Sequence, residues 1–165
     1  MYRDCGYKYR KLCKAQETIS RGVYMAICVG IDPGVRTGLA VWDTSSRQLL
    51  DVRCSGIIDS MRYLRELQET RGIGLVVFED ARKRKWIPRE RDLSQFRGRA
   101  MGAGSVKRDC SIWEEWCNTY GIEFVCPPPR QGMTKLTDAY FRGITGYDRR
   151  TNEHGRDAAM LVFGR

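Results

Sequence analysis

Apolar residues divide the chain into strands and helices from Val23 onward. The run VYMAICVGI (23–31) has no polar position and reads as a buried strand ended by the turn Asp32-Pro33-Gly34. TGLAVW (37–42) starts a second strand, and Leu49 to Ile58, with partial alternation, a third. The short turns between them predict an antiparallel meander. Ser60 is expected to cap a helix through Thr70 with Met61, Leu64 and Leu67 inward. GLVVF (74–78) reads as a central strand covered on both faces. A long helix is expected over Leu93 to Tyr120, although Gly98, Gly102 and Gly104 weaken its first half. IEFVC (122–126) reads as a strand stopped by three prolines, and helices are expected at about 134–142 and from about 152 onward. The order is three strands, helix, strand, helix, strand, helix, helix, an α/β layered sheet with mixed strand directions. Residues 1–22 are basic, carry tyrosines and lack a period, so the reading is a basic arm followed by one domain over 23–165.

Composition narrows the partner more than the fold. No apolar run approaches the roughly 20 residues of a membrane span, and the basic N-terminus lacks a secretory core. Lys plus Arg exceed Asp plus Glu by 29 to 20 in 165 residues, a formal net charge of +9 that favours a polyanionic partner, most simply nucleic acid. The seven cysteines form no Cys-x-x-Cys pair, and one histidine cannot complete a His-rich zinc site. Cys110 and Cys117 share a helical stripe with Val106, Trp113 and Tyr120, which points to reduced core thiols and an intracellular, cytoplasmic protein; a bacterial or phage-infected cytosol is compatible with this.

Against this basic background, the acids at strand ends carry the chemistry. Asp32 ends the first strand and Glu79, with Asp80, ends the central one. Asp157 lies on the last helix with His154 three residues earlier, on the same helical face. Adjacent strand ends form one crevice in an open α/β sheet, and a helix over that edge would add Asp157 and His154 to it. Clustered carboxylates repel unless a cation lies between them, so a divalent metal with oxygen ligands is the economical reading. Two ions about 3.5–4 Å apart support phosphodiester hydrolysis. An acidic centre with a basic rim is the composition of a nuclease. The segment 81–91 (ARKRKWIPRER) interleaves Arg82, Lys83, Arg84 and Lys85 with Trp86, which suits phosphate contact plus stacking on an unpaired base.

Four collinear motifs then resemble one family. GIDPGVRTGLAVWD (30–43) is similar to the opening motif of the RuvC Holliday junction resolvases, within the RNase H-like superfamily. VVFEDA (76–81) resembles its second acidic strand, PPPRQGMTK (127–135) its proline-arginine-glutamine segment, and EHGRDAAML (153–161) its closing acidic helix. The resemblance spans about 25–165. It implies an RNase H-like fold, a mixed five-stranded sheet with helices on both faces. It also implies a homodimeric, Mg²⁺-dependent endodeoxyribonuclease of DNA recombination and repair that resolves four-way junctions by paired nicks. By resemblance, Asp32, Glu79 and Asp157 are the metal-binding acids, His154 stands at a ligand position in its His form, and two ions are held. An imidazole ligand makes Mn²⁺ an alternative to Mg²⁺. Lys135 matches a residue that contacts the scissile phosphate, with Arg130 beside it. The arm with Cys5 and Cys13 has no counterpart, and the glycine-bearing half of the long helix falls where family dimers pack.

Three other readings remain open. The same fold serves nucleases of looser specificity on branched DNA or RNA–DNA hybrids. A branched-DNA-binding module without catalysis would keep the basic rim alone. Asp32-x-Gly34-x-x-Thr37-Gly38 also resembles the first phosphate loop of the actin-like kinases, whose two closing domains 165 residues cannot supply.

Overall fold

The computed structural model describes residues 26–84, 93–129 and 135–165 and, within the helix over 93–120, the side chains of 97, 98 and 100 onward. The expected basic arm, with Cys5 and Cys13, lies outside the described residues. So do Lys85, Trp86 and Arg130, three of the expected DNA contacts.

Strands β1 (Ile27–Asp32), β2 (Thr37–Asp43) and β3 (Gln48–Ser55) form the antiparallel meander. Helix α1 (Ile57–Thr70) then carries the chain to β4 (Leu75–Phe78), which pairs parallel to β1. A 3₁₀ turn (Ala81–Lys83) leads towards the long helix α2 (Leu93–Tyr120). The two-residue strand β5 (Phe124–Val125) pairs parallel to β4, and helices α3 (Asp138–Thr145) and α4 (Glu153–Val162) close the chain. The sheet order β3-β2-β1-β4-β5, with only β2 running against the rest, is the RNase H-like arrangement. Sequence patterning anticipated this mixed five-stranded α/β sheet.

Alternation along the strands sorts the core into two layers. Ile27, Val29 and Ile31 of β1 pack with Leu39, Val41, Val76 and Phe78 against Leu64, Cys110, Trp113 and Cys117 of α1 and α2. Cys28 of β1 faces the other way and joins Ala40, Trp42 and Val77 under Phe141 of α3 and Ala158, Ala159 and Val162 of α4. The five described cysteines are unpaired, and burial pushes the Cys117 thiol up to about 12 and that of Cys126 to about 11, so both thiols stay protonated.

Several boundaries differ from the sequence reading, each for a local reason. The third strand stops at Ser55 and α1 begins at Ile57 without a side-chain cap, so Ser60 does not cap it. Ser60 is instead buried inside the first turn, its Oγ 2.8 Å from Ser55 Oγ. The helix expected at 134–142 lies at 138–145 because Thr137 is its cap, accepting from the Tyr140 amide. Tyr120, expected on the buried stripe, is 42% exposed and leans on Trp116 at 4.9 Å.

Helix α4 lies directly on the sheet because glycines leave room for its backbone. A Cβ at Gly38 would sit 2.0 Å from the carbonyl oxygen of His154, and one at Gly30 2.0 Å from that of Ala158. Gly155 meets Val52 and the Arg53 carbonyl in the same way from the helix side. Any side chain at Gly30 or Gly38 would lift the helix off its strands.

Candidate functional site

Register brings two of the predicted acids together. Parallel pairing sets Ile31 opposite Phe78, so the next residues on the two strands are Asp32 and Glu79. Period-2 alternation aims Asp32, with Cys28 and Gly30, towards α4, and Glu79 follows Val77 to the same face. Asp80 takes the opposite parity, with Phe78, towards α2.

The last helix supplies the remaining groups. Asn152 Oδ1 accepts from the Gly155 amide and fixes the first turn of α4. His154 Nδ1 then lies 2.8 Å from Asp32 Oδ2, while its Nε2 stands 3.8 Å from Glu153. Asp32, Glu79, His154 and Asp157 all line one cavity of about 820 Å³. Burial pushes the Asp32 carboxyl above its ordinary range, opposed by the hydrogen bond from His154 and reinforced by the charge of Asp157. Burial also pushes Asp157 up, against the pull of Lys135 and His154.

The donor chemistry of this wall, three carboxylates and an imidazole, fits a hard divalent cation. The geometry does not close upon one point: among the described residues, no three acidic, histidine or cysteine side chains stand close enough to hold an ion together. The metal site that the sequence leads one to expect among these clustered carboxylates is therefore not closed in this arrangement. Like charge keeps desolvated carboxylates apart, and one oxygen of Asp32 is taken by His154.

Basic residues surround the acids. Lys135 lines the cavity and pairs with Glu153 at 2.7 Å, which together with the nearby Asp157 and Asp32 pushes its ammonium pKa up. Exposed Arg84 lines the cavity too. Arg82 behaves differently from the other expected DNA contacts. Its guanidinium grips buried Asp80 through Nε (2.7 Å) and Nη2 (3.0 Å), and Nη1 reaches Glu114 of α2 at 2.6 Å. Asp80 also caps the 3₁₀ turn through the Arg82 amide. Arg82 thus pins the segment after β4 to α2, its charge matched by two carboxylates. Lys83 is half exposed, its Nζ donating to the Cys126 carbonyl oxygen and standing 4.0 Å from Asp80.

Two further cations were not singled out in the sequence, Arg36 and Lys107, and both line the cavity. Arg36 follows Val35 in the β1–β2 turn, which Thr37 shapes by donating to the Gly34 carbonyl at 3.0 Å. Its place four residues beyond Asp32 was the available signal. Lys107 adjoins Val106 of the apolar stripe. The first half of α2, expected only as a dimer-packing region, forms a cavity wall through Gly102, Ala103 and Val106. Its small residues leave the cleft open.

No protein-family model matches this chain, and no curated protein matches it. Among solved structures, that of Thermus thermophilus RuvC is similar, with 20% identity, 83% of this chain and 91% of that chain covered, and a TM-score of 0.47. The fold assignment rests on strand order and direction.

Proposed function

We propose that the chain is a divalent-metal-dependent endonuclease that acts on branched DNA, four-way junctions foremost, by paired phosphodiester hydrolysis. The observation that carries this reading is the convergence of Asp32, Glu79, His154 and Asp157 on one cavity rimmed by Arg36, Arg84, Lys107 and Lys135. Acids alone would repel a phosphodiester, and cations alone would bind one without cutting it. Together they suit a polyanion drawn to a point where cations are held.

Asp32, Glu79 and Asp157 would hold two Mg²⁺ or Mn²⁺ ions, with His154 as a nitrogen ligand, once their side chains draw closer together than they stand in this arrangement. Bound there, such ions lower the pKa of a water and neutralise charge on the phosphoryl oxygens. The protein's own residues do the rest. Asp32 and Asp157, raised by burial, become anionic as pH climbs and so set the acid limit of ion binding. His154 holds Asp32 by its hydrogen bond and fixes the orientation of that carboxylate. Lys135, over half exposed, can leave Glu153 for a phosphate oxygen beside the acids. Arg36, Arg84 and Lys107 orient the backbone across the cleft. Two-strand cutting of a symmetric junction requires two copies of the chain, hence the proposed homodimer.

Incubation of the full chain with labelled four-way, fork, flap, linear duplex and RNA–DNA hybrid substrates tests this, with Mg²⁺, Mn²⁺ or EDTA. Paired nicks in the four-way junction, absent in EDTA, support it. Preferential cutting of hybrids or linear duplex would replace junction resolution with a looser nuclease. Binding without cutting would leave a branched-DNA module.

A further inference from the structure

A second concavity adjoins the first, with a volume of about 310 Å³, lined by Arg36, Arg53, Cys54, Arg150, Thr151 and Asn152 among others. Arg36 belongs to both cavities. Many of its other polar groups are already satisfied. Asn152 Oδ1 caps α4, and the Thr151 hydroxyl donates to Asp138 while its carbonyl accepts from Arg156. The Arg53 guanidinium is held by Asp51 and lies 3.6 Å over the Tyr63 ring. Arg36 and Arg150 are exposed and form no ion pair with another described residue. What the concavity offers is therefore two guanidinium groups without an ion pair among the described residues, beside a wall of spent hydrogen bonds.

We infer that this concavity is a second phosphate subsite, which takes the DNA backbone next to the scissile position and runs it from the acidic cavity over Arg36 to Arg150. The inference rests on the nucleic-acid reading of the larger cavity. A guanidinium presents paired N–H donors that match two phosphate oxygens. Two of them lining a concavity that shares Arg36 with the acidic cavity can guide one strand, whereas a lone surface arginine does not. The subsite supplies register and affinity, and no sequence preference.

Binding of a fluorescent four-way junction to the full chain in EDTA, measured across a salt series, tests this without requiring cleavage. Arg150→Gln is expected to make the slope of log K against log salt shallower by about one phosphate contact, and to weaken binding several-fold at low salt. Arg150→Lys is expected to restore the slope in part. Arg65→Gln on α1, which lines neither cavity, is the control and is expected to leave the slope unchanged. An unchanged slope in Arg150→Gln overturns the inference, even where the wild type cuts junctions. A reduced slope upholds it, even where the wild type cuts nothing and the hydrolase reading falls. Titration with inorganic phosphate separates the two sources of ligand. Saturable phosphate binding lost in Arg150→Gln, with the DNA slope unchanged, would assign the concavity to a free phosphate and overturn the backbone track.

Discussion

His154 Nδ1 lies 2.8 Å from Asp32 Oδ2, joining the first strand to the last helix across 122 positions of sequence. That one bond ties the end of β1 to the first turn of α4, and it exists because Gly38 lets the helix backbone approach. Its consequences reach both the chemistry and the fold.

Neutralising the acids separates binding from cutting. Asp32→Asn, Glu79→Gln and Asp157→Asn are each expected to lower the cleavage rate by about 100-fold or more, because ion-borne stabilisation of the transition state amounts to several kcal/mol. Junction binding in EDTA is expected to be equal or tighter, since each change removes a negative charge that repels phosphate. Gel-shift and cleavage assays on the same preparations check this. Parallel loss of both would mark the acids as structural.

His154→Asp replaces a softer nitrogen donor by a hard oxygen. Cleavage should persist, with the preference between Mn²⁺ and Mg²⁺ moved towards Mg²⁺ in paired metal titrations. Complete inactivity with both ions would contradict a ligand role.

Gly38→Ala tests the helix seat. Its new Cβ would stand 2.0 Å from a backbone carbonyl, so strand or helix must shift. A loss of about 1–3 kcal/mol is expected, the range for overpacking, together with reduced cleavage as His154 and Asp157 move off the cavity. Denaturant melts report the first and initial rates the second. An unchanged midpoint would mean that the helix is not seated there.

Arg82 and Arg84, two positions apart, should respond oppositely. Arg82→Gln leaves buried Asp80 without its main partner and is expected to cost about 1–3 kcal/mol of stability, with little change in the salt slope of DNA binding. Arg84→Gln should leave stability unchanged and make the slope shallower by about one. Thermal melts and salt titrations of both variants decide the matter.

Acid stability carries the mark of Asp138. Hydrogen bonds from Arg142 and Thr151 hold its carboxyl down at about 2, against an ordinary 3.8. A depressed carboxyl stabilises the fold above its unfolded value, and that contribution disappears as pH falls from about 4 towards 2. The wild type should therefore lose more stability across that window than Asp138→Asn, measured by urea denaturation at each pH.

The fold was legible in the sequence wherever apolar patterning decided the element. AICVGI and TGLAVW announce strands that a short turn pairs, while GLVVF announces a strand whose neighbours a helical crossover decides. Asp32 and Glu79 were legible as acids that end buried strands, and their adjacency follows from parallel register. The cap at Thr137 and the inward Ser60 were not, because a hydroxyl near a helix start reads alike whether it caps the helix or bonds a neighbouring side chain. The pairing of Arg82 was not legible for a related reason: a basic run reads as uniformly available until a buried acid two residues earlier claims one member of it. Arg36 and Lys107 were missed because each depends on which way a turn or a helix wall faces, which only the assembled layers decide.

The most direct test of the central claim is the initial rate of four-way junction cleavage by the wild type and Asp32→Asn, over a Mg²⁺ titration from chelated to millimolar ion. The account predicts paired nicks whose rate saturates with Mg²⁺ in the wild type, and no detectable nicking at any Mg²⁺ concentration in the variant. Cleavage that persists in chelator, or in Asp32→Asn at wild-type rate, would contradict it.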